Sequence, residues 1–110
     1  MKESSVVRAL AALSQVNRLR AFRMLVVAGN QGATPTAMAK RLKVSGATLS
    51  FHLKELMNAG LVTQERIGRH LVYRADFRRM EAVLGYLLQN CCQDEACRPT
   101  RGPERAEERT

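Results

Sequence analysis

Apolar residues recur at three- and four-residue spacing along most of this chain, and glycine, proline or polar clusters interrupt them. VVRALAAL (6–13) is a helical stretch too short to be stable alone. In NRLRAFRMLVVAG, Leu19, Phe22, Leu25 and Val26 share one face, with Arg18, Arg20 and Arg23 largely between them. Asn17 is placed to cap that helix, and Gly29-Asn30-Gln31-Gly32 stops it. Thr34-Pro35 pairs a capping hydroxyl with proline at the first helical position, so TPTAMAKRL forms a short helix with Met38, Ala39 and Leu42 inward. Lys43-Val44-Ser45 breaks the chain, and Ser45 caps the next helix, GATLSFHLKELMNAG, with Leu49, Leu53 and Leu56 as its stripe and Ala59-Gly60 at its end.

The period then changes from helical to alternating. In LVTQERIGRHLVYRA, Val62, Gln64 and Arg66 alternate, as do His70, Val72 and Arg74 against Leu71 and Tyr73, which predicts a β-hairpin with a basic tip at Arg66-Ile67-Gly68-Arg69-His70. Asp76 caps a last helix, FRRMEAVLGYLLQNCC, whose stripe is Phe77, Met80, Val83, Leu84, Leu87 and Leu88. Short helix, three-residue break, longer helix, then a hairpin: the pattern predicts a mainly α winged helix-turn-helix. One domain over residues 1–97 is expected. The tail RPTRGPERAEERT (98–110) has two prolines and no large apolar residue, so disorder is expected there.

Composition narrows this picture. Only 5% of residues are aromatic and Trp is absent, against 45% apolar overall, which favours helices over a sandwich. A chain of 110 residues supports one modest core, and such a core is often completed by a second copy. The N-terminus, MKESSVVRALAAL, is interrupted by Arg8 and lacks the apolar core of a signal peptide. No stretch approaches the ~20 apolar residues of a membrane span. A cytoplasmic protein with reduced thiols and no membrane association is expected.

Charge adds a partner. Residues 1–75 hold twelve Lys/Arg against three acids, while residues 76–110 hold six Arg against seven acids. The basic charge, +9 over residues 1–75 against −1 over residues 76–110, therefore belongs to the first two-thirds of the chain, where a polyanion would be gripped. A helix entering the major groove of double-stranded DNA needs small polar side chains in its first turns. Ser45, Gly46, Ala47, Thr48, Ser50, Phe51, His52 and Lys54 hold those positions. Ser45, Thr48 and Ser50 can donate to phosphates or bases, and Arg66, Arg69 and His70 at the hairpin tip can reach a phosphate or the minor groove. Two of these also have structural readings: Ser45 as a cap, and His52, beside the leucine stripe, as a packing residue.

RLRAFRML, SGATLSFHLKELMNAGLV and RIGRHLVYRA together resemble the winged-helix repressors of the ArsR/SmtB family, over about residues 6–90. The resemblance implies a homodimer on an operator with two half-sites, derepression by metal, and dimerisation through the first and last helices. Those would be VVRALAAL and FRRMEAVLGYLL, whose stripes otherwise face water. Two departures follow. Many arsenic-responsive members carry cysteines in the first helix of the helix-turn-helix, and TPTAMAKRLKV has none. Zinc-responsive members use Asp and His along the last helix, and here Asp76 is present but no His follows His70. Family members often have Gln where this chain has Gly46, which removes one possible base contact.

All three cysteines lie in NCCQDEAC: Cys91, Cys92 and Cys97. A closed zinc site wants four Cys or His ligands, and this segment offers three thiols with Asp94 and Glu95. Calcium and magnesium prefer oxygen. A soft ion content with three sulfurs fits better, such as trivalent arsenic or antimony. The resembled family includes arsenic sensors with thiols in a C-C-x(n)-C arrangement at the end of the last helix, which NCCQDEAC looks like. Side chains of consecutive helical residues point about 100° apart, so Cys91 and Cys92 can converge only if the helix ends or unwinds there. The expected function is a repressor released from operator DNA when As(III) binds Cys91, Cys92 and Cys97. A Cys91/Cys92 pair alone would suit a methylated arsenical. Other readings are another soft metal (Cd, Pb, Zn), thiol oxidation, inert tail cysteines, or a constitutive architectural DNA-binding protein. An enzyme is disfavoured, since no general base accompanies the thiols and no C-x-x-C motif occurs.

Overall fold

A computed structural model describes residues 1–93. The order is α1 (Glu3–Ala12), α2 (Val16–Ala28), a 3-10 turn (Gly29–Gln31), α3 (Pro35–Leu42), α4 (Gly46–Asn58), β1 (Val62–Ile67), β2 (His70–Ala75) and α5 (Phe77–Leu88). The predicted domain end at residue 97, the tail from residue 98 and Cys97 lie outside the described residues.

Local chemistry sets the boundaries. Thr34 caps α3 by accepting from the Ala37 N–H, with Pro35 in the first turn. Ser45 caps α4 by accepting from the Thr48 N–H at 3.0 Å, and Asp76 caps α5 through the Arg79 N–H at 3.0 Å. The expected Asn17 cap is displaced: α2 begins at Val16, and the Gln15 side chain accepts from the Arg18 N–H at 2.9 Å. The longer Gln15 amide reaches an orphan donor at the same three-residue spacing that Ser45 and Asp76 use. The last helix is also shorter than expected. It stops at Leu88 rather than running through Cys92.

The core lies where α2, α3 and α4 meet. Leu25, Met38, Leu49, Leu53, Leu56, Leu61 and Val83 are its largest fully buried side chains. Truncating a leucine in such a site costs about 2–5 kcal/mol, because the lost transfer energy is joined by a cavity. The strands pair antiparallel from Val62↔Ala75 to Ile67↔His70, which leaves Gly68 and Arg69 as a two-residue turn with Gly68 at φ 63°.

The hairpin is anchored to the helices by backbone. Ala33 and Tyr73 exchange hydrogen bonds, Ala33 N–H to Tyr73 O at 3.0 Å and Tyr73 N–H to Ala33 O at 2.8 Å. Arg74 donates to the Asn30 carbonyl at 2.7 Å and pairs with Glu65 at 2.7 Å across the ladder. The Asp76 N–H donates to the Leu61 carbonyl at 2.8 Å, tying the start of α5 to the segment leaving α4. α1 gives Val6, Ala9 and Ala12 to this core and α5 gives Val83, while Leu84, Leu87 and Leu88 of α5 and Val7 and Leu10 of α1 are exposed.

Candidate nucleic-acid interface and cysteine cluster

α4 is amphipathic in a way that separates core from contact. Leu49, Leu53 and Leu56 point inward, and Gly46, Ala47, Thr48, Ser50, Phe51 and Lys54 are all exposed. A Cβ built on Gly46 meets nothing within 4 Å, so the helix entry is open. The Ser45 hydroxyl is committed locally: it accepts the Thr48 N–H and donates to Thr48 Oγ1 at 2.9 Å. With its one proton used, Ser45 is foremost a cap. At the hairpin tip Arg66, Arg69 and His70 are exposed. Sequence reasoning passed over Lys40 and Lys43, exposed on α3 and in the turn leading into α4; the local run of cations was the available signal.

His52 departs from the expected DNA contacts. It is only 7% exposed, on the inward side of α4, so its ring cannot reach a base edge without leaving the core. The exposed Phe51 ring leans on it at a centroid distance of 5.7 Å. Burial, and then the nearby Arg18 guanidinium, push the His52 pKa below its ordinary value of 6.5. Its Nδ1 has no hydrogen-bond partner among the described residues. The packing reading of His52 is thus the one its position supports.

A pH dependence follows. Because the folded pKa lies below the unfolded one, the stabilising neutral ring is fully retained above about pH 6.5. As pH falls through the unfolded value, the unfolded chain takes up a proton that the folded one resists, and stability drops. The urea midpoint should therefore fall between about pH 7.5 and 5.5 in the native protein and fall less in His52→Gln. Since His70 is present in both proteins, equal slopes would contradict this role for His52.

After Leu88 the chain leaves the helix: Gln89 is extended (ψ 132°), and Asn90 and Cys92 take positive φ values of 62° and 60°. This unwinding brings the Cys91 and Cys92 sulfurs to 3.4 Å, the convergence that a continuous helix would prevent. Among the described residues no group of three His, Cys, Asp or Glu side chains could hold a metal ion, so a third sulfur would have to come from beyond residue 93.

Residues 13–65 match a family model described as a helix-turn-helix domain. Solved structures extend the likeness into the hairpin and the last helix. An ArsR-like transcriptional regulator from Rhodococcus sp. RHA1 is 26% identical, with 83% of this chain and 82% of that one covered and a TM-score of 0.70. This chain is a winged helix-turn-helix.

The homodimeric winged helix-turn-helix DNA-binding domain of Mb0332 from Mycobacterium bovis, a possible ArsR-family regulator, is 25% identical, with 87% and 89% covered and a TM-score of 0.61. A possible transcriptional regulator for arsenical resistance is 27% identical, with 73% and 83% covered and a TM-score of 0.59. No curated protein matches the sequence. In winged-helix terms α3 and α4 are the helix-turn-helix, β1 and β2 the wing, and the cysteines follow the helix after the wing. No helix among the described residues is long and apolar enough to cross a membrane.

Proposed function

We propose that this chain is an ArsR/SmtB-type transcriptional repressor that binds operator DNA as a homodimer and is released when trivalent arsenic, or antimony, binds Cys91, Cys92 and Cys97. The DNA-binding half rests on the exposed, small and polar first turns of α4, carried on a strongly basic winged helix whose structural relatives are transcriptional regulators. The second copy is supported by the exposed leucines of α5 and the apolar residues of α1, and by a homodimeric relative of the same fold.

The observation that carries the ligand half is the convergence of two sulfurs just past the end of α5. An ion ~2.3 Å from both sulfurs, at their 3.4 Å separation, would subtend an angle of about 95°. That is narrower than a tetrahedral site uses and suits a three-coordinate, pyramidal ion. Such an ion needs the sulfurs as thiolates, so it competes with their oxidation. Residues of this chain offer a route from that site to DNA. The start of α5 is bonded to the segment leaving α4 through the Asp76 N–H and the Leu61 carbonyl, and the Arg79 guanidinium of α5 lies against Gly60 at the end of α4. A shift of α5 within the dimer would therefore move both recognition helices.

One second reading has an observation of its own. The exposure and close approach of the Cys91 and Cys92 sulfurs, 3.4 Å apart, also suit a thiol-oxidation switch, in which two thiols give up two protons and two electrons to an oxidant such as a peroxide. Fluorescence anisotropy of reduced protein on its own upstream DNA separates the two. Arsenite, antimonite, a methylated arsenical, cadmium and zinc are added in turn under reducing conditions, and peroxide in their absence. Release by arsenite or antimonite at the lowest concentrations is expected. Release by peroxide alone would replace the metalloid reading with the oxidation one.

A further inference from the structure

We propose that the cleft between α2 and α3 is a binding site for a small organic anion, a carboxylate on an aromatic body. The cleft measures about 460 Å³, within the ~300–1,000 Å³ of ordinary ligand sites. It is lined by α2, by α3 and by Gly32-Ala33 between them, and by no residue of α1, α4, the wing or α5, so it is separate from both the recognition face and the cysteines.

Two features specify the occupant. Arg20 and Arg23 of α2 and Arg41 of α3 line the same cleft, and none of the three makes an ion pair among the described residues, where Arg74–Glu65 is the only one. Three arginines on one cleft make it cationic, and a carboxylate seated there would offer the flat, two-oxygen edge that an arginine fork matches. The rest of the lining is largely apolar, with Met24, Val27 and Leu42, and with Met38, which is itself fully buried. Methionine thioethers adapt to flat rings and contact them favourably. A bare phosphate would satisfy the guanidiniums and leave that lining wet, and a neutral ring would cover the lining and leave the guanidiniums unpaired. A ring bearing a carboxylate does both.

The test uses the full chain with its methionine methyls labelled for NMR, and benzoate as the probe. Saturable shifts of the Met24 and Met38 methyls are expected, with Met57 and Met80 still. Benzamide, which has the ring without the charge, and inorganic phosphate, which has the charge without the ring, should leave Met24 and Met38 in place. Arg41→Gln and Arg23→Gln remove exposed side chains, so the fold should survive, and each should weaken benzoate binding about tenfold. The proposal is overturned if phosphate shifts the two methyls as benzoate does, if all methyls move together, if no saturation is seen up to about 10 mM benzoate, or if both variants bind as the native protein does. It is also overturned if operator DNA alone shifts Met24 and Met38, since the cleft would then serve the phosphate backbone. Binding to a Cys91→Ser protein should be unchanged, which keeps this site distinct from the cysteine cluster.

Discussion

Replacing Cys91 or Cys92 with serine is expected to leave operator affinity unchanged and to abolish release by arsenite, a response on the order of 5–150-fold in the native protein. Both residues are exposed and lie beyond the last helix, so neither supports the core or the recognition face. Serine keeps the shape and takes away the soft ligand. With one of two adjoining sulfurs gone, a thiophilic ion loses the pair that stands 3.4 Å apart and retains at most two of its three sulfurs. Cys97→Ser is expected to behave in the same way toward arsenite and to spare a methylated arsenical. Anisotropy titrations of reduced protein on operator DNA read both halves at once. A Cys91→Ser protein that arsenite still releases at the native concentration would sink the three-sulfur site.

Gly32→Ala is expected to destabilise the fold by ~3 kcal/mol or more, a large share of a small domain's ~5–15 kcal/mol. Gly32 has φ 67° and ψ −164°, a region that residues with a Cβ avoid. Space is refused as well: an added Cβ would sit 2.5 Å from the Tyr73 carbonyl oxygen and 2.7 Å from Val72 Cγ1. Gly32 precedes the Ala33–Tyr73 bridge, so relief of that clash pulls the hairpin off the helices. Gly46→Ala provides the contrast, because a Cβ there meets nothing and the residue begins a helix. It should be neutral or stabilising by up to ~1 kcal/mol. Urea midpoints compare the two directly, and equal midpoints would refute the argument for Gly32.

Helix periods were legible in the sequence because each helix buries one face, and the Thr34, Ser45 and Asp76 caps because a short oxygen side chain precedes each helix; β1, where only Val62 is buried, was legible from its alternation and the Gly68 turn instead. Gln15 was missed because its longer side chain caps from outside the usual set. His52 was ambiguous because a residue beside a leucine stripe is turned inward or outward by a rotation that sequence does not record. In the structure its ring lies inside, by Arg18 and under Phe51. The end of α5 was half visible: periodicity carried the helix to Cys92, while the geometry of adjacent thiols required a break, and the break falls after Leu88. The Ala33–Tyr73 bridge and the Arg79–Gly60 contact join residues far apart in the chain, and no local pattern announces them.

The open leucine face of α5 ties response to abundance. If a second copy is needed to cover Leu84, Leu87 and Leu88, apparent stability rises with protein concentration by mass action. At concentrations well below the dimer dissociation constant, operator occupancy then grows with the square of chain concentration. A modest fall in expression would lift repression more steeply than a one-to-one binder allows, and the melting temperature of dilute samples would slide downward with each dilution.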